Sequence, residues 1–277
     1  MAGLAYHDAR SVQKGLTFNS YCDVYKCIEV SGVELAEPAT SITDWILNIE
    51  LVILGVLVLQ YKQKGQASFV TGLAFIFLGI SFGLGGFSHG FGSYLRCDKD
   101  SPDDTCKDYT WVWVGAIATQ APATVLFLVG ACYLVFGENG GVPKVMAICG
   151  SAIVLIFYLC VYYGAICAQE WTAFFLSFRF VLLLVGPFSL ATLVILCLPA
   201  CIQKTQPAGM ALAIGGWLIC LASAVYQAVG PKPSEWFDHN AVFHVMFMVG
   251  IAISAAGFLQ WLPTMEDVGS SSSRALE

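Results

Sequence analysis

Residues 66–95 read QASFVTGLAFIFLGISFGLGGFSHGFGSYL, a run without a single Asp, Glu, Lys or Arg. A helix needs roughly 20 mostly apolar residues to cross about 30 Å of hydrocarbon, and this run exceeds that length. Outward from it, six further stretches meet the same requirement: 43–61, 111–136, 145–168, 171–203, 210–229 and 240–262. Together they predict an all-α integral membrane protein, a seven-helix bundle over 43–262. The linkers are short, as in Lys62-Gln63-Lys64-Gly65, so consecutive spans pack as antiparallel neighbours. The two longest spans are expected to tilt or to project beyond the lipid. Pro122 and Pro187 fall inside the third and fifth spans and are expected to bend them.

Composition agrees. Of the 277 residues 57% are hydrophobic and 12% charged, against about 25% charged in a soluble domain. The mean hydropathy is +0.73. A net charge of −6, with no basic run longer than Lys62-Gln63-Lys64, excludes a nucleic-acid partner, which would need clustered cations. The partner implied throughout is the lipid bilayer. Residues 1–42 are polar and lack the apolar core of a cleavable signal. Residues 263–277 read as a cytosolic tail ending in an appended linker from Gly269 onward. Neither an internal repeat nor a second domain is visible.

Seven spans place the termini on opposite sides. Basic residues do not choose between the sides: Lys62, Lys64, Lys144 and Lys204 face Arg96, Lys99, Lys107 and Lys232. Cysteine does better. Cys22 and Cys27 lie in the N-terminal segment, and Cys97 and Cys106 bracket an acidic loop on the same side. Disulfides among them imply an oxidising compartment, hence an N-terminus outside or lumenal, in the plasma membrane or secretory pathway. Free thiols and a zinc site are the two other readings, although separations of five and nine are not those of a CxxC site.

Polar residues within lipid are costly, so each asks for a reason. Asp44, Asn48 and Glu50 lie near the outer start of span one, His89 near the outer end of span two, and Gln120 in the outer part of span three. Arg179 lies in span five, Tyr226 and Gln227 end span six, and Asp238, His239, Asn240 and His244 open span seven. This one-sided placement predicts a polar cavity opening outward, with Asp44, Asn48, Glu50, Gln120, Arg179, Tyr226, Gln227 and Asn240 as its ligand-binding residues. The plainer readings are headgroup contact for Asp44 and Asp238, a Glu50–Arg179 ion pair, and hydrogen-bonded packing histidines. Span two carries Gly79/Gly83 and Gly86/Gly90 at GxxxG spacing, which serves close helix packing within the chain or a homo-oligomer contact.

Gly85-Gly86-Phe87-Ser88-His89-Gly90 and Asp238-His239-Asn240-Ala241-Val242-Phe243-His244 resemble segments of the seven-span superfamily of alkaline ceramidases and adiponectin receptors. Thr43-Asp44-Trp45 is similar to the Asp-Trp near the first span of ceramidases. The resemblance implies a zinc ion held by histidines of the second and last spans, with a Ser and an Asp assisting, and a zinc-bound water that hydrolyses a lipid amide or ester. Here Asn240 stands where the first His of the last-span HxxxH pair would be, and Gly85 where the Ser would be. His89, His244 and either His239 or Asp238 would then be the metal ligands, with Asp44 as orienting group or base.

Three functions follow. A ligand- or ion-binding protein of receptor, channel or transporter type would use the outer cavity for a small ligand, lipid or ion. A zinc-dependent lipid hydrolase would use the histidines. A structural subunit would use the glycines. Span seven has no Lys for a retinal Schiff base, and span three ends Tyr133-Leu134-Val135-Phe136, without the Asp-Arg-Tyr typical of G-protein-coupled receptors.

Overall fold

Ser31 and Gly32, flanked by Val30 and Val33, reverse the chain ahead of the first span with φ of 52° and 81°. Two left-handed residues match the twist of a two-stranded ribbon. Cys27–Val30 (β1) and Val33–Ala36 (β2) accordingly pair antiparallel, with Val30 opposite Val33. The structure is a computed structural model and describes residues 21–23, 26–60, 65–97, 106, 110–137, 141–162, 178–202, 209–230, 233, 234 and 236–261. The N-terminal segment expected to be merely polar thus contains a hairpin.

The helices are α1 (Pro38–Gln60), α2 (Gln66–Gly90), α3 (Gly92–Arg96), α4 (Trp111–Phe136), α5 (Gly141–Tyr162), α6 (Phe178–Ile202), α7 (Met210–Val229) and α8 (His239–Trp261). Six of them (α1, α2, α4, α5, α7 and α8) are long and apolar enough to cross a membrane, and the chain is an integral membrane protein. Two boundaries differ from expectation for local reasons. Helix α1 starts at Pro38 rather than at 43, because proline is pre-set for a first helical turn and its missing N–H has no partner to lose there. Glu50 therefore sits near the middle of α1, about 18 Å from its start. The second span breaks at Phe91, and Tyr21 occupies the space a β-carbon at Gly92 would need. Pro122 and Pro187 lie inside α4 and α6, as does Pro199 in α6.

Successive neighbours α1, α2, α4, α6, α7 and α8 form a ring that closes through α8 on α1, and α5 packs outside against α4. Leu47, Leu51, Phe75, Phe82, Phe127 and Ile251 are among the residues filling the ring. Helix α5 leaves Val145, Ile148, Leu155 and Leu159 exposed, the pattern of a face turned to lipid. Small residues set the closest approaches. A β-carbon at Gly79 would lie 3.2 Å from the Asn48 carbonyl, and one at Gly86 2.6 Å from the Trp45 indole. Gly79, Gly83 and Gly86 of α2 therefore seat α1 of the same chain.

At the hairpin end, Cys22–Cys27 and Cys97–Cys106 are disulfide-bonded, and the second bridge packs with Tyr21 and Ala36. The Tyr94 hydroxyl accepts the Glu34 N–H at 3.1 Å, tying β2 to α3. Closing a loop of this size removes unfolded-chain entropy equivalent to about 2–3 kcal/mol. Cys97→Ser/Cys106→Ser is expected to lower the thermal midpoint in detergent by roughly 5–10 °C. An unchanged midpoint would show that the bridge constrains nothing the fold does not already hold.

Candidate functional site

Thr43 and Asp44 project from α1 toward the first turns of α8. His244 Nε2 lies 3.2 Å from Asp44 Oδ1, and His244 Nδ1 lies 3.0 Å from Thr43 Oγ1. The Thr43 oxygen is also 2.8 Å from the Ala39 carbonyl and 3.0 Å from that of Thr40. All three side chains are buried. A carboxylate oxygen and a bare imidazole nitrogen repel, so the Asp44–His244 contact holds one proton between its two atoms, whichever of them carries it. The Thr43 hydroxyl has one proton. When it goes to the Ala39 carbonyl, Nδ1–H donates to Thr43; when it goes to Nδ1, Nε2–H donates to Asp44. The trio is a proton-bridged latch between the first and last helices.

The other sequence-nominated residues fall into pairs around this latch. His89 Nδ1 lies 2.6 Å from Glu37 Oε2, with the Trp113 ring against its edge. Glu37 holds a left-handed φ of 43°, and its N–H donates to the Lys26 carbonyl at 3.0 Å. Asp238 caps α8: its Oδ1 accepts the Ala241 N–H at 3.0 Å and the Thr40 hydroxyl at 2.8 Å. Gln227 Nε2 donates to Asn240 Oδ1, both buried between α7 and α8. His239 is buried at the start of α8. Asn48 rests against Gly83. Glu50 and Tyr226 are half-buried and outside these pairs. The Arg179 side chain lies outside the described residues, and so does the expected Glu50–Arg179 pair.

Directly beneath the latch is a layer of rings. Phe82 and Phe243 pack on His244 with centroids 5.5 and 5.1 Å away, and Phe247 packs on both. The far side of this layer walls a cavity of about 130 Å³ between α2, α4, α6, α7 and α8. Phe127 and Trp217 line it further down, the indole N–H committed to the Ser189 carbonyl at 2.8 Å. Among the described members of the expected ligand-binding set, Gln120 alone lines this cavity. It is mostly apolar, which the expected outward polar cavity was not.

Residues 39–263 match the model of a family described as a family of unknown function (DUF6962). The chain belongs to the DUF6962 family. The DUF6962 match starts one residue into α1, so it takes in Asp44, His89 and His244 and leaves out the hairpin and Glu37. No curated protein and no solved structure shows significant similarity to the chain.

Zinc needs at least three converging His, Cys, Asp or Glu ligands. Among the described residues no such group is gathered: His89 turns to Glu37 and His244 to Asp44. The described residues thus gather no three-ligand set for the ion, and no chemical step is derived through it. Thr43 and Glu37, which complete the two histidine contacts, escaped the sequence reading. A signal existed for the second, since Ser31-Gly32 between short alternating runs marks a hairpin, and a hairpin there brings Glu37 over the bundle end.

Proposed function

We propose that this DUF6962 protein is a seven-span, non-enzymatic ligand-binding membrane protein of receptor or transporter type, with its N-terminus on the lumenal or extracellular side. Its ligand enters the ring between α2, α4, α6, α7 and α8, and the Thr43–Asp44–His244 latch responds to it. One observation carries this: Phe82 and Phe243 form both the cavity wall and the packing of His244. A guest that moves those rings therefore acts on the contact that joins the first and last spans. In this reading α6, 25 residues long, is the seventh span. The two disulfides at the hairpin end support the orientation.

A zinc hydrolase is the second reading. It is favoured by the place of Gly85, the position where the resembling superfamily has Ser. A β-carbon there would sit 3.4 Å from Asp44 Oδ2, so Asp44, Gly85, His89 and His244 share one end of the bundle. Elemental analysis of the detergent-purified protein separates the two. We expect no stoichiometric zinc, and the same trace level in His89→Ala and His244→Ala. About one zinc per chain, lost in both variants, would overturn the ligand-binding reading in favour of lipid amide or ester hydrolysis.

A further inference from the structure

The structure assigns the cavity a ligand chemistry: we propose that it takes an uncharged, ring-sized apolar group carrying one hydrogen-bonding substituent, recognised by the Gln120 carboxamide. This rests on the ligand-binding reading above and specifies it. The size argues first. Apolar cavities of roughly 150 Å³ take up benzene, and about 130 Å³ here is the same scale. Charge argues next, because among the described residues none that lines the cavity is ionisable at neutral pH, and against these a bare ion would lose its hydration without compensation. Shape agrees: Phe82, Phe127, Trp217, Phe243 and Phe247 present ring faces and edges, which favour a planar aromatic guest in offset or edge-to-face contact.

The polar recognition comes from what remains uncommitted. The Thr124 hydroxyl donates to the Gln120 backbone carbonyl at 3.0 Å, the Trp217 N–H to Ser189, and the Cys220 thiol faces the Phe247 carbonyl at 3.9 Å. Among the described residues, no hydrogen bond engages the Ser189 hydroxyl or the Gln120 side chain, and of these two the carboxamide offers both a strong donor and a strong acceptor at the cavity wall. Each water filling this space would want two to four polar partners, and the Gln120 carboxamide and the Ser189 hydroxyl are the uncommitted polar side chains among the described lining residues. A phenol-like guest needs one.

The probes are 4-fluorophenol and fluorobenzene, followed by fluorine NMR on the full chain in detergent. Partition into the micelle is linear in concentration, and site binding saturates. Gly186 provides a plug, because a β-carbon there meets nothing within 4 Å while the residue lines the cavity. Ala224→Leu plugs it from α7, and each plug variant is checked for a cooperative thermal transition. We expect saturable binding of 4-fluorophenol, weakened at least tenfold in Gly186→Leu and in Ala224→Leu. Gln120→Leu should weaken 4-fluorophenol by roughly three- to tenfold, the worth of one neutral hydrogen bond, and leave fluorobenzene unchanged. Absence of saturable binding in the wild type, binding unaffected by both plugs, or 4-fluorophenol binding indifferent to Gln120→Leu would each overturn the assignment. Stoichiometric zinc together with intact 4-fluorophenol binding would remove the reading above and leave the cavity chemistry standing.

Discussion

Asp44→Ala is expected to cost about 3–5 kcal/mol of stability, because it strands a buried histidine without its proton-sharing partner. Asp44 and His244 are 2% and 5% exposed, so water cannot substitute for the lost contact. Asp44→Asn should cost less, since an amide N–H can still donate to a neutral Nε2. His244→Ala leaves the reverse defect, a buried carboxyl that has lost its imidazole contact. The double variant Asp44→Ala/His244→Ala should fall short of the sum of the singles by roughly 1–3 kcal/mol, the signature of one coupled unit. Denaturant or thermal titration of the four proteins in one detergent gives the cycle. Additivity within about 0.5 kcal/mol would show that the first and last helices are held by packing alone and that the latch is incidental. The outcome bears on function, since a responsive contact must first be an energetic one.

Gly216→Ala should disrupt the bundle, while Gly215→Ala one residue away should not. A β-carbon at Gly216 would overlap the Ser254 amide nitrogen and the Gly250 carbonyl, with the Ser254 Cα at 2.9 Å. These are backbone atoms of α8, and they cannot rotate aside. A β-carbon at Gly257 meets the Ala213 and Gly209 backbones in the same way, with the Gly209 carbonyl at 2.7 Å. Helices α7 and α8 therefore lie backbone against backbone, fixed further by the Ser254 hydroxyl donating to the Ala213 carbonyl at 2.8 Å. Overpacking such a contact costs about 1–3 kcal/mol for one methyl, and larger residues at 216 or 257 should prevent assembly. At Gly215 nothing lies within 4 Å, so alanine there is neutral or slightly stabilising through helix propensity. Yield of monodisperse protein by fluorescence-detected size exclusion, with thermal midpoints, reads both. Equal behaviour of the two variants would mean that α7 and α8 are further apart than described.

The polar residues show how far a one-dimensional reading reaches. His89, His244, Asp44 and Gln120 stood out because ionisable or amide groups in apolar runs are rare and costly. Their partners did not. Thr43 looks like any span-opening threonine, and Glu37 sits outside the span in a segment read as merely polar. Asp238 drew attention as a metal ligand, yet its oxygen is spent on the α8 N-terminus and Thr40. Gln227 and Asn240 were nominated separately and satisfy each other. Trp217 and Phe82, which shape the cavity, are indistinguishable in sequence from lipid-facing aromatics, since every face of such a helix is apolar.

Sequence by itself determined that the chain lives in a membrane as long apolar helices, and it located most of their ends. Hydrocarbon thickness and the need to satisfy every backbone group fix those features one segment at a time. It also identified the four cysteines that pair, and placed the costly polar groups near one end. Only the tertiary structure decided which helix stands beside which, and therefore that His244 meets Asp44 while His89 meets Glu37, that the α2 glycines seat α1, and that an aromatic cavity lies beneath the latch. In lipid, apolar periodicity no longer marks an inner face, because lipid tails and side chains are equally apolar. Helix adjacency is set instead by the close fit of small residues and a few buried hydrogen bonds between distant segments, and these exist only once the chain has folded.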